Sequence, residues 1–172
     1  MKKNVKTIII IGAAIVFAAA AWSAYFLMTP SSGAASQKPV LRAAAGAFDK
    51  NGQVDVTVSI ENNPGIAGMN FQLHFDGTQF APSAIKKGEH FQSVISNMDQ
   101  GGEFPELPFV TATWVSPANI TTNGDIITVT FQAKPEATAA DFSIRYEPAD
   151  IADEDLNEVS IEVIDAVNVT LP

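Results

Sequence analysis

Four stretches of this chain alternate apolar and polar residues with a period of two. Val54, Val56, Val58 and Ile60 alternate with Asp55, Thr57, Ser59 and Glu61. Met69, Phe71, Leu73 and Phe75 alternate with Asn70, Gln72 and His74; Ile127, Val129, Phe131 and Ala133 alternate with Thr128, Thr130 and Gln132. Phe142, Ile144 and Tyr146 alternate with Ser143, Arg145 and Glu147. Successive side chains of a strand point to opposite faces, so each run has one apolar and one polar side, as half-buried antiparallel strands require.

Turn residues fall between the runs: Asn51-Gly52, Asn62-Asn63-Pro64-Gly65, Asp76-Gly77, Gly101-Gly102 and Asn123-Gly124. Gly and Asn supply positive φ, and Pro64 presets the turn before Gly65. Further strands are predicted at 40–44, 80–85, 109–115 and 162–171, with a weaker one at 91–95. Nine short strands in one body predict an all-β, nine-stranded jelly-roll sandwich. Residues 148–159 are acidic and poorly patterned, and read as a loop with room for one helical turn.

A different segment precedes this body. Residues 8–28 are 21 uncharged residues behind Lys2, Lys3 and Lys6. As a helix they would span roughly 31 Å, close to the hydrocarbon thickness of a bilayer. The lysines orient residues 1–7 toward the cytoplasm and the body outward, with Trp22 and Tyr25 near the outer interface. The segment reads as a transmembrane signal-anchor. Ser32-Gly33-Ala34 also offers a small-x-small cleavage site, and cleavage would make the domain secreted. Either way the domain is exported. Residues 29–39 (TPSSGAASQKP) form a linker by composition, and 40–172 the folded domain.

Charge narrows the function classes. All nineteen acidic residues lie at or after Asp49, against seven basic ones from Thr29 onward, a net charge of −12 beyond the apolar segment. Such a body has no cationic surface for nucleic acid. No cysteine is present, which excludes disulfides and thiolate metal sites. The histidines, His74 and His90, read as ordinary surface residues, and no paired carboxylates are placed for hydrolysis; no enzymatic activity is expected. Asp153-x-Asp155-x-Asn157 begins like a calcium loop. Glu158 then replaces the sixth-position Gly and Ile164 the twelfth-position Glu, so no metal site is expected. Asn119-Ile120-Thr121 and Asn168-Val169-Thr170 match the short glycosylation pattern. A carbohydrate-binding sandwich is the main rival reading. Its usual aromatic strip has little to draw on, because Trp114 and Tyr146, the body's one Trp and one Tyr, have the parity of interior positions.

Residues 54–76 (VDVTVSIENNPGIAGMNFQLHFD) resemble a cohesin domain. They carry a valine-rich strand, an Asn-x-Pro-Gly-like turn and a strand ending Phe71-x-Leu73-x-Phe75-Asp76. A short apolar strand then ends near Gly88, and residues 123–134 are similar to a later strand of the family. The likeness covers about residues 40–171. There are two departures: Gly77 stands where a Pro is common, and Asp141 stands near where a Gly usually precedes the strand that here carries Ser143 and Ile144.

The resemblance implies binding rather than catalysis. Cohesins receive a dockerin, a small calcium-loaded helical module, on one sheet face built from the third, fifth, sixth and eighth strands. The calcium belongs to the dockerin, so no cofactor is expected on this chain. By alternation the outward residues of that face would be Asn70, Gln72 and His74 on the third strand and Thr111 and Thr113 on the sixth. The eighth would offer Ser143, Arg145 and Glu147, and the fifth Ser93. The implied partners are dockerin-bearing glycoside hydrolases or scaffold proteins, held at a bacterial surface by a monomeric, membrane-anchored module. A structural adhesin or pilus-like subunit is a third reading.

Overall fold

The computed structural model describes residues 37–98 and 108–171. The expected membrane segment at 8–28 and most of the linker lie outside the described residues. Among those described, no helix is long and apolar enough to cross a membrane.

Eleven strands form among the described residues: β1 (Val40–Ala45), β2 (Gln53–Glu61), β3 (Ile66–His74), β4 (Phe80–Lys87), β5 (Ile95–Met98), β6 (Phe109–Ile120), β7 (Gly124–Ala133), β8 (Ala139–Arg145), β9 (Ile151–Ala152), β10 (Glu162–Ile164) and β11 (Ala166–Thr170). They make two sheets. One has the order β10-β1-β2-β7-β4; the other has the order β11-β8-β3-β6-β5, with β9 paired to β3. All these pairings are antiparallel except β1 with β10. The all-β sandwich expected from the alternation is the observed fold.

The alternation decides what lies between the sheets. Val54, Val56, Val58 and Ile60 are buried, as are Met69, Phe71, Leu73, Val129, Phe131, Phe142 and Ile144. A chain of rings crosses the interior: Phe131 lies 4.8 Å from both Phe75 and Phe142, and Phe142 lies 5.9 Å from Phe80. Each such ring removed from water contributes about 2 kcal/mol, with edge and offset contacts adding to it. No polar or charged residue is buried among those described.

Three turns and one irregularity between paired strands explain why particular residues stand where they do. Asn63 joins two corners, its backbone N–H donating to Asn123 Oδ1 (2.8 Å) and its side chain to Thr122 O (3.1 Å). Gly88 donates to Ile126 O at 2.8 Å, and a Cβ there would fall 1.6 Å from Asp125 O, so only glycine fits. Asp76 closes its own turn, accepting from Thr78 N (2.8 Å), Thr78 Oγ1 (2.6 Å) and Gln79 Nε2 (2.8 Å). These bonds, those of the Thr78 and Gln79 side chains first, hold its carboxyl below the usual range. Asp141 accepts from Asn168 N at 2.7 Å, where the β8–β11 register shifts and Asn168 takes φ 56°. The departure at Asp141 is thus a local hydrogen-bonding solution, and at Gly77 a Cβ would fall 2.5 Å from the Pro108 ring, so the chain is packed too closely there for a side chain.

The structure also corrects the expected elements. The predicted strand at 91–95 is a turn, in which Phe91 N donates to Gly88 O and Val94 N to Phe91 O; β5 begins at Ile95. The segment 162–171 is two strands in different sheets, divided at Asp165, whose Oδ1 accepts from Ile144 N at 2.7 Å. β8 ends at Arg145, and Glu147 precedes a 3-10 turn at Pro148–Asp150. β6 runs on to Ile120, five residues beyond the expected 115. The Asp153 loop is closed by its own backbone and the Asn157 side chain: Oδ1 accepts from Asp155 N (2.9 Å) and Asn157 N (2.8 Å), and Oδ2 from Asn157 Nδ2 (3.0 Å).

Candidate docking face

The polar side of the β8-β3-β6-β5 sheet gathers most of the residues singled out in the sequence. Residues directly opposite one another in antiparallel strands share a face. Three rows therefore cross it: Ile95, Thr113 and Asn70; Asn97, Thr111, Gln72 and Arg145; and Phe109, His74 and Ser143. Asn70, Gln72, His74, Thr111, Thr113, Ser143 and Arg145 thus lie on one face, the register placing each where the alternation predicts.

Two expected members do not share those rows. Ser93 sits in the exposed turn before β5, whose outward positions are Ile95 and Asn97 instead. Glu147 lies past the end of β8, yet lines a hollow of about 120 Å³ with Asn70, Gln72, Arg145 and Asp150. Ile95, Asn97, Val115 and Asp150 are face residues that the sequence reading missed. Val115 shares parity with Thr111 and Thr113, so its outward position was available from the alternation. Asp150 belongs to a loop, where no periodicity exists to place it.

Side chains on the face are ordered by one another. The Thr113 hydroxyl donates to Asn70 Oδ1 (2.9 Å), and Asn70 Nδ2 donates to Asp150 Oδ1 (3.2 Å). Asp150 Oδ2 in turn accepts from Glu147 N at 2.9 Å. His74 Nε2 meets Gln72 Oε1 at 2.9 Å, and its ring lies 5.3 Å from that of Phe109. Partial burial, and then the Arg145 charge, lower the His74 pKa below its ordinary value. Arg145 Nη1 donates to Ile144 O at 2.8 Å and lies 3.6 Å from Asp165 Oδ2.

Neither the tryptophan nor the tyrosine of the sandwich lies open on this face; its rings are those of His74 and Phe109. Trp114 is 3% exposed and meets Phe91 edge-on at 5.4 Å beneath the sheet. The Tyr146 hydroxyl donates to Ile161 O at 2.7 Å and accepts from Ile161 N at 3.2 Å, which fixes the half-buried ring to the β10 approach. Among the described residues no group of three or more potential metal ligands occurs.

Known structures share this architecture. The sixth cohesin of scaffoldin B from Acetivibrio cellulolyticus, solved with a Cel5 dockerin mutant, is 19% identical, with 79% of this chain and 100% of that chain aligned at a TM-score of 0.66. A non-cellulosomal cohesin from the archaeon Archaeoglobus fulgidus is 17% identical over 74% of this chain and 87% of its own, at 0.61. A type I cohesin–dockerin complex from Clostridium thermocellum aligns at 18% identity over 75% and 96%, at 0.60. No curated protein sequence matches. The family model described as Cohesin domain spans residues 42–169, nearly the whole of the sandwich, and the chain belongs to the cohesin family.

Proposed function

We propose that this chain is a dockerin receptor displayed outside a bacterial cell, held by residues 8–28 and raised from the membrane by the linker at 29–39. Cohesins are protein-binding modules without catalysis, and solved relatives carry dockerins in their complexes. The observation that carries the reading is the face itself. Seven polar residues from three strands stand in register on one sheet face, with apolar Ile95 and Val115 beside them. A helical module can be held there by shape, hydrogen bonds and a small apolar centre inside a polar rim. The partners would be dockerin-bearing hydrolases or scaffold proteins, and they would bring the calcium.

The test is capture of calcium-loaded dockerins from the same genome on the full chain in detergent, with EDTA as the control. Retention in calcium and release in EDTA is the expected result. If no such dockerin is retained, the reading fails. The anchor is tested separately by amino-terminal sequencing of the native protein: a start at Met1 is expected, and a start near Ala35 would mean a cleaved signal peptide.

A further inference from the structure

The docking face leaves different groups open at its two ends. On the β5–β6 side, Ile95 and Val115 are 74% and 73% exposed. Ile95 stands opposite Thr113, so Val115 is its diagonal neighbour. Opposite Val115 on β3 is Gly68, where a Cβ would meet nothing within 4 Å. The two aliphatic side chains therefore rise beside a step with no side chain, open to an incoming apolar group.

In the middle, the Thr113–Asn70–Asp150 hydrogen bonds fix the orientation of the Asn70 amide. On the far side is the hollow lined by Asn70, Gln72, Arg145, Glu147 and Asp150. Asp165 draws the Arg145 guanidinium toward β11, and among the described residues neither Glu147 nor Asp150 takes part in an ion pair.

We infer that the face reads the polarity of its partner helix, taking an aliphatic side chain on Ile95 and Val115 and a Lys or Arg head group in the hollow beside Glu147 and Asp150. The inference rests on the dockerin reading above and adds the chemistry that would select among dockerins. Two to three strand spacings separate the two ends, about 10–14 Å, which a helix covers in roughly six to ten residues. A partner with these anchors reversed would set a cation over Ile95 and leave two carboxylates facing an apolar side chain. Such mismatches discriminate more strongly than added contacts do.

Calorimetric titration of the full chain in detergent with each calcium-loaded dockerin of the same genome tests this. Dockerins that bind the wild type are then titrated against Glu147→Lys, Glu147→Gln and Ile95→Asp. Glu147→Lys is expected to weaken binding at least about tenfold at low salt and less at high salt, and changing the partner's Lys or Arg to Glu should restore it. Ile95→Asp should weaken binding by about tenfold with little dependence on salt. Should Glu147→Lys lose its cooperative melting transition, Glu147→Gln decides, with a loss of about threefold expected. Unchanged or tighter binding by either folded Glu147 variant overturns the inference while the docking reading stands. Failure of every dockerin to bind the wild type overturns both.

Discussion

The two sheets turn unlike surfaces to solvent. On the five-stranded sheet the polar side chains answer one another across the strands. Arg42 forks onto Glu61 (2.7 and 3.2 Å), Thr57 meets Thr128 (3.0 Å), and Thr130 donates to Asp55 (2.6 Å). The docking sheet also has an internal chain of hydrogen bonds. That chain ends at the Asp150 carboxylate, which pairs with no cation among the described residues, and it lies beside two exposed aliphatic residues. The first face is largely closed by its own chemistry, though Lys86 and Lys87 of β4 enter no ion pair among the described residues; the second leaves carboxylates and aliphatic side chains unanswered. The difference lies in which groups are left unanswered, since both faces are polar strands of the same period.

The largest expected effect tests whether the closed sheet is rigid at its β4 end. Gly88→Ala should cost about 3 kcal/mol or more in urea denaturation, because the backbone at Asp125 must move to admit the methyl group. A loss under about 1 kcal/mol would mean that this corner is soft.

Next is the open face. Gln72→Arg with Thr113→Arg should weaken dockerin binding by about a hundredfold or more while the melting temperature stays nearly constant. A large fall in melting temperature would show that these side chains support the fold instead. Smaller still, Thr57→Val with Thr128→Val on the closed face should change stability by about 1 kcal/mol or less and leave docking untouched. Docking lost in that variant would erase the contrast between the faces.

The smallest effect is titration of His74. Its pKa is lowered in the fold, so the unfolded chain takes up the proton first. Stability should therefore be full above the ordinary histidine value of 6.5 and decline as pH falls through it, levelling below the folded-state value. His74→Gln should remove that decline from a pH series of denaturation curves. The lowered carboxyls of Asp49, Glu61, Asp76 and Asp153 act in a lower window: their contribution is present above the ordinary carboxyl range and is lost as pH falls through their folded-state values.

Much of this was legible in the residues, for a definite reason. Wherever a strand is buried on one side, a shift of one residue would expose its whole apolar row, so Val54–Ile60 and Met69–Phe75 announce both their existence and their parity. Legibility failed where burial comes from a turn. Phe91 and Val94 are buried, Phe91 under Trp114, but they arrive there through turn hydrogen bonds with a spacing of three, and the resulting pattern concealed where β5 starts. It failed again at 162–171, where Asp165 reads as one more polar residue and instead marks the crossing between sheets. Asp150 reaches the face through a 3-10 turn and could be found only from the fold.

The position of β1 bears on mechanical load. β1 lies between β10, its parallel neighbour through three registered pairs, and β2, its antiparallel neighbour through six. A force applied at residue 37 along the strand axis meets both ladders lengthwise, so their hydrogen bonds resist together in shear and do not open one at a time. Under the anchoring proposed above, a load between membrane and bound partner would enter the sandwich through the strand that is held from both sides.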